Sequence, residues 1–333
     1  MQNKKTHKDQ NILYFKISIY CLFIFSIIYS FIINEGHYGF GVDYYHSYQF
    51  GFPSNYFFSD FFGWLISTLD IYGYKLGVFT TAFAISFSSG LILLVFFSRL
   101  NIDNILVFFL VFIVLIHSWP VFPSIVNAMR QGLMMSFIFF GLYFLNYNKL
   151  KYSFFFFLIT LFAHKSGIVF FILFFILILF NKIKKNNKNV FFLYVIFGII
   201  SFLFNMLFII ALNYIDLISI DQTNYVIAKD FSLPFLFINI SYILYFSKFY
   251  QYLLKNYFNF YIYLFSFFVI GFYLFGLTWQ YERFNMIMLI PYIISIGCCF
   301  SKKSKTFYIL IIPLLLFALT IYTGMYEAGI GIY

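Results

Sequence analysis

Three short groups of polar and charged residues interrupt a chain that is otherwise almost continuously apolar: Met129-Arg130-Gln131, His164-Lys165-Ser166 and Glu282-Arg283. Ionisable groups beside membrane spans are energetically costly and usually face a cavity or a partner. Arginine and lysine bind phosphate through charge-assisted hydrogen bonds, and histidine can exchange a proton near neutral pH. The three groups therefore predict a polar, anion-binding site within a membrane protein.

The composition defines the broad class of protein. Of 333 residues, 63% are hydrophobic and 10% are charged, and the mean hydropathy is +0.91. No soluble domain has this composition, so we predict an all-α, polytopic integral membrane protein with the lipid bilayer as its surroundings. The net charge of +10 does not indicate nucleic-acid binding, because the basic residues cluster between apolar runs, as cytoplasmic anchors do.

Eleven apolar runs are long enough, or nearly so, to cross a bilayer. We therefore predict about 11 transmembrane helices (10–12) in one transmembrane domain, residues 1–333. The first run follows a basic segment and lacks a small-residue cleavage site, so we predict an uncleaved span. The runs lie at 12–33, 76–98, 104–118, 129–147, 152–163, 167–181, 190–212, 233–247, 257–278, 285–300 and 306–323.

The stretch 152–180 is broken at His164, and lysines lie on both sides of it. If both ends are cytoplasmic, the stretch must cross the membrane and return. A pair of short spans with a turn at His164 satisfies this requirement, whereas one long helix does not.

Charge bias predicts the topology. With a cytoplasmic N-terminus, 16 of the 21 Lys and Arg residues fall inside and 9 of the 11 acidic residues fall outside. This follows the positive-inside rule. The outer loops are then 34–75 and 213–232, and segment 56–70 is predicted as a re-entrant or interfacial helix. The cations of the three polar groups all belong to the few basic residues on the outer side.

Three predicted helices that run from outside to inside begin at the polar groups. Their first turns carry free N–H groups and the positive end of the helix dipole, and each start also carries a cation. Such an arrangement binds anions, and at a membrane interface it predicts a lipid-linked phosphate or diphosphate. Plausible capping residues are Asn127, Ser166 and Asn285.

Simpler interpretations remain open for each residue. An arginine at the end of a span can extend to lipid head groups, and a histidine can be a packing residue. Glu282 can pair with Arg283 or with Arg130. Asp43 lies near glycines and can be a turn residue.

The sequence gives no sign of a cofactor or a metal site. The three cysteines lie in apolar segments and form neither a disulfide framework nor a zinc pattern. No Walker A sequence is present, which argues against ATP-driven transport by this chain. Asp43 and His46 alone are a weak metal signal.

Four motifs together resemble the EpsG/Wzy-type bacterial polysaccharide polymerases. Gly41-Val42-Asp43-Tyr44 with Tyr48 resembles their first outer-loop signature, and Asn127-Ala128-Met129-Arg130-Gln131-Gly132-Leu133 resembles a helix start of the family. Ala163-His164-Lys165-Ser166-Gly167-Ile168 is similar to the histidine-containing helix break of these proteins, and Glu282-Arg283-Phe284 to their late arginine motif. The motifs occur in the family's order.

The resemblance implies a polymerase of lipid-linked glycan repeat units for O-antigen, capsule or exopolysaccharide. Its substrates would be undecaprenyl-diphosphate-linked oligosaccharides, and it would act at the outer face of the bacterial inner membrane. Neither ATP nor a nucleotide sugar would be needed. A chain-length regulator and a flippase of the same pathway are possible partners.

The resemblance and the predicted anion site together assign roles. Arg130 and Arg283 would bind the diphosphate and stabilise it as it leaves, and Lys165 and Gln131 would add contacts. A base must take the proton of the acceptor hydroxyl.

That base is His164 or Asp43, and the sequence leaves both open. Supporting roles fall to Glu282, Tyr44 and Asn127. The alternatives to a polymerase are a lipid-linked oligosaccharide flippase, a membrane acyltransferase that modifies a glycan, and a non-enzymatic scaffold.

Overall fold

The computed structural model describes residues 2–36, 76–97, 105–118, 121–126, 129–164 and 167–183, with single helical residues between 61 and 68, at 293 and between 314 and 321. In this part of the chain every element is an α-helix and no strand occurs. The helices are α1 (Gln2–Gly36), α2 (Leu76–Phe97), α3 (Ile105–His117), α4 (Val121–Val126), α5 (Met129–Asn146), α6 (Leu150–Ala163) and α7 (Gly167–Ile183).

The chain divides into two compact units, Met1–Phe174 with Ile293–Tyr333, and Phe175–Tyr292. All the helices except the end of α7 lie in the first unit. One transmembrane domain over residues 1–333 stays a prediction.

The helix bounds agree with the first six predicted spans. At both ends, α2, α3, α5, α6 and α7 lie within about two residues of the apolar runs, and α1 begins ten residues earlier than its run. The five predicted spans beyond residue 183 lie outside the described ranges, apart from single helical residues, so the count of about 11 stays a prediction.

Two of the described helices are long and apolar enough to cross a membrane, Ile12–Asn34 and Gly77–Val95. Long apolar side chains on α1 remain exposed, and Tyr20 is 69% exposed. A helix satisfies its own backbone, so such a face is compatible with lipid. The exposed residues on this face are Ile12, Leu13, Ile17, Tyr20, Ile24, Ile28, Phe31 and Ile32.

Helices α1 and α2 pack antiparallel. Phe23 contacts Phe87 with ring centroids 5.7 Å apart, and Phe31 contacts Phe79 at 4.8 Å. The face of α1 that turns inward carries buried serines as well as apolar residues. Small side chains let two helices approach closely, which is a common basis of packing inside membranes.

The buried hydroxyls of α2 are satisfied within the helix itself. Thr81 donates to the carbonyl of Gly77 at 2.9 Å, and Ser86 donates to that of Ala82 at 2.6 Å. Both side chains are fully buried. Local bonding of this kind lets polar side chains lie in an apolar interior without partners from other helices.

Helices α5 and α6 form an antiparallel hairpin. A tight turn at 147–149 connects them, with Asn148 in the left-handed region at φ 58°, a conformation that asparagine tolerates better than most residues. Phe144 of α5 stacks on Phe156 of α6 at 5.4 Å. Ser153 donates a hydrogen bond to the carbonyl of Gly141 at 2.8 Å, and this bond joins the two helices.

The stretch 152–180 forms two helices that fold back on each other, as predicted. The rings of Phe154 and Phe174 lie 5.8 Å apart, and those of Phe157 and Phe174 lie 5.1 Å apart. In one continuous helix, Phe154 and Phe174 would be separated by roughly 30 Å. Helix α6 ends at Ala163, His164 is extended at φ −159° and ψ 149°, and α7 begins at Gly167.

The segment 56–70, which was predicted to lie on the outer side, contains helical residues. Phe61, Phe62, Trp64, Leu65 and Thr68 are helical, and the hydroxyl of Thr68 donates to the carbonyl of Trp64 at 2.8 Å. The ring of Phe62 lies 5.1 Å from that of Phe137 on α5. Helical residues thus occur where the helix was predicted, and its bounds and its re-entrant or interfacial character stay predictions.

Candidate functional site

The start of α5 and the break between α6 and α7 lie at the same end of the helix hairpin. Because α5 and α6 run antiparallel from the turn at 147–149, the first turn of α5 and the last turn of α6 meet at the opposite end. At 1.5 Å per residue, Arg130 lies roughly 24 Å from the turn along α5 and His164 roughly 21 Å along α6. The two residues therefore differ in height by less than one helical turn.

Arg130 and Gln131 occupy the first turn of α5. Arg130 is half-buried, whereas Gln131 is 4% exposed. Arg130, Gln131 and His164 each take part in an interaction with another group. This end of α5 places a guanidinium group at the positive end of the helix dipole. That combination suits a phosphate group.

Gly132 allows the first turn of α5 to lie directly against α4. A Cβ atom at this position would collide with the carbonyl oxygen of Ser124 and would come within 2.5 Å of the Cδ1 atom of Ile85. The backbone of α4 is a rigid obstacle, so only glycine permits this approach. The close contact fixes the position of Arg130, two residues earlier in the chain.

Helix α4 was not predicted from the sequence, because its six residues are too few to give a hydrophobic period. It follows directly from the end of α3. The N–H groups of Val121 and Phe122 donate to the carbonyl of Ser118 at 2.8 Å and 3.1 Å. The short helix thereby provides the surface against which α5 begins.

Backbone hydrogen bonds define the break around His164. Its N–H donates to the carbonyl of Thr160 at 3.3 Å, and its carbonyl accepts the N–H of Gly167 at 2.8 Å. A Cβ atom at Gly167 would collide with the carbonyl oxygen of Thr160, so glycine is required where the two helices meet. His164 itself is half-buried.

His117, at the end of α3, is a histidine that the sequence analysis did not identify. Its ring lies 5.3 Å from that of Tyr29 and 5.8 Å from that of Phe122, and a third ring, that of Phe317, lies 6.2 Å away. A single histidine at the end of an apolar run gives no signal beyond its residue type. The aromatic surroundings make it a packing residue between α1, α3 and α4.

The remaining predicted site residues lie outside the described residues, and their roles stay predictions. They are Asp43, Tyr44, Asn127, Lys165, Glu282 and Arg283. Among the residues that the structure describes, no group of His, Cys, Asp and Glu could hold a metal ion.

The described helices are apolar, and two of them are long enough to cross a membrane, which indicates a helical membrane protein. The chain belongs to the EpsG family, because the sequence model of that family matches residues 7–333. The resemblance noted in the four motifs is thereby confirmed, and membership indicates a polysaccharide polymerase-type role in the membrane. Comparisons with curated proteins and with solved structures found no match.

Proposed function

We propose that this protein polymerises lipid-linked glycan repeat units at the outer face of the bacterial inner membrane. The growing chain is transferred from undecaprenyl diphosphate to a sugar hydroxyl of an incoming lipid-linked repeat unit. The observation that carries the proposal is the extent of the family match, residues 7–333, because a role common to the family then belongs to nearly the whole chain.

The chemistry requires a stabilised leaving group. The bond between the anomeric carbon and the diphosphate oxygen breaks, a new glycosidic bond forms, and negative charge develops on the departing diphosphate. Arg130, in the first turn of α5, supplies a cation for this charge at the positive end of the helix dipole. In the proposal, Arg283, Lys165 and Gln131 complete the diphosphate site.

The acceptor hydroxyl must lose its proton, and His164 or Asp43 takes it. His164 lies at nearly the height of Arg130 along the α5–α6 hairpin, which supports a place for both residues in one site. Glu282, Tyr44 and Asn127 orient these groups in the proposal.

A comparison of cations at the two ends of the hairpin tests this site. A strain that is deleted for the gene and complemented with Arg130→Ala should lack the ladder of glycan lengths, because the leaving diphosphate loses its cation. Arg130→Lys should restore it only in part, since an ammonium group cannot bind phosphate in a bidentate manner. Glycan length on gels, at matched protein levels, is the measurement.

Lys149→Ala is the matched control. Lys149 is exposed and lies in the turn at the opposite end of the hairpin, so its loss should leave the ladder intact. A ladder that persists in the deletion strain would remove the polymerase function and favour the flippase, acyltransferase or scaffold alternatives. Equal effects of Arg130→Ala and Lys149→Ala would remove the proposed site.

A further inference from the structure

The last turn of α6 contains a buried polar side chain to which the proposed reaction has so far assigned no role. Thr160 is fully buried, and Phe157 and Ala163 of the same helix are fully buried as well. Its Oγ1 atom lies 2.6 Å from the carbonyl oxygen of Phe157 and 3.2 Å from that of Gly167. The hydroxyl therefore reaches from the end of α6 to the first residue of α7.

The simplest explanation of such a hydroxyl is local bonding within its own helix, which needs no function. Thr81 and Ser86 in α2 are of this type, because their acceptors lie within the preceding turn. Thr160 has an acceptor of that kind in Phe157, but its second acceptor lies seven residues further along the chain. Local bonding does not account for this second contact.

The backbone carbonyl and the side-chain hydroxyl of Thr160 both contact residues at the break between α6 and α7. The backbone carbonyl accepts the N–H of His164 at 3.3 Å, and the same carbonyl lies against Gly167 so closely that no Cβ fits there. The hydroxyl oxygen lies 3.2 Å from the carbonyl oxygen of Gly167. Gly167 in turn donates its N–H to the carbonyl of His164 at 2.8 Å. His164 is thus held between two residues that are themselves linked.

We propose that Thr160 is a positioning residue for His164: its hydroxyl fixes the geometry of the break so that the imidazole is held ready for proton transfer. This inference rests on the proposed polymerase function and on His164 as a base. A side chain held in place before the reaction loses little freedom in the transition state, so the effect falls on turnover and not on substrate binding.

A pair of substitutions separates the hydroxyl from the shape of the side chain. Thr160→Val keeps the volume and removes the hydroxyl, whereas Thr160→Ser keeps the hydroxyl. With purified protein and lipid-linked repeat units, Thr160→Val should lower kcat roughly ten- to hundredfold with little change in KM. Thr160→Ser should stay close to the wild-type protein. The hydroxyl has one hydrogen to share between the two carbonyls, and both carbonyls belong to helices, so the thermal midpoint should change little.

Hydrogen exchange tests the geometry of the break without reference to activity. The amide of His164 should exchange several-fold faster in Thr160→Val than in the wild-type protein, and at the wild-type rate in Thr160→Ser. If Thr160→Val changes neither the exchange rate nor kcat, the inference is overturned. It is also overturned if Thr160→Ser lowers kcat as much as Thr160→Val does, or if Thr160→Val lowers the thermal midpoint together with kcat. If the purified wild-type protein lengthens no glycan, the proposed function is contradicted, even when the amide of His164 exchanges faster in Thr160→Val.

Discussion

Arg130 and His164 owe their positions to glycines that follow them in the chain. Gly132 lies two residues after Arg130 and Gly167 lies three residues after His164, and each approaches a backbone carbonyl of the preceding helix. A backbone atom cannot move aside as a side chain can, so these contacts fix the start of each helix. The local sequence thus contains both the proposed site residue and the glycine that fixes its surroundings.

Gly132→Ala should move the first turn of α5 away from α4, because its Cβ would collide with the carbonyl oxygen of Ser124. We expect the free energy of unfolding to fall by about 1–3 kcal/mol, and glycan polymerisation to fall with it. The thermal midpoint of the detergent-solubilised protein and the glycan ladder are the measurements.

Gly90→Ala is the control for that substitution. The atoms nearest to its Cβ would be the two methyl groups and the Cγ atom of Leu22, which belong to a side chain and not to a backbone. Alanine also favours a helix over glycine by about 1 kcal/mol. The thermal midpoint should therefore change little. A similar fall in the thermal midpoint from both substitutions would show that the α4–α5 contact does not explain the effect of Gly132→Ala.

At the scale of helices, the α5–α6 hairpin determines which residues come together. The bond from Ser153 to Gly141 lies in the part of the hairpin nearest the turn, and the rings of Phe144 and Phe156 stack in the same part. These contacts set the register of α6 against α5. The register in turn sets how far His164 lies from the turn.

Ser153→Ala removes the interhelical bond and should lower the free energy of unfolding by about 0.6–2 kcal/mol. Ser136→Ala is the matched control, because that buried serine donates at 3.0 Å to Gly132 within its own helix. A chemical or thermal unfolding series in detergent would compare them. If Ser136→Ala proved the more damaging of the two, the hairpin would not depend on the bond to Gly141.

Helix positions were readable from the sequence, because apolar runs end where polar residues begin, as at Asn127 and His164. The fold-back at His164 was readable too, from the lysines at both ends of the stretch. Helix α4 and the contacts of Gly132, Thr160 and His117 were not. They depend on how closely one helix approaches another, and no periodic pattern records that distance.

At the scale of the whole molecule, composition defined a helical membrane protein, and the ordered motifs led to the EpsG family, whose match extends over residues 7–333. Arg130 and His164 lie far apart in sequence, yet the hairpin brings them to one end. The motif order alone did not provide this placement. It follows from the antiparallel packing of α5 and α6.

Reconstitution of the purified protein in liposomes would show whether this chain alone lengthens lipid-linked glycans. Lipid-linked repeat units would be supplied without ATP, nucleotide sugar or any other protein, and product length and released undecaprenyl diphosphate would be measured. We predict a ladder of glycans, with one diphosphate released for each unit added, and none with Arg130→Ala. Repeat units that cross the bilayer or gain acyl groups without growing longer would contradict the account.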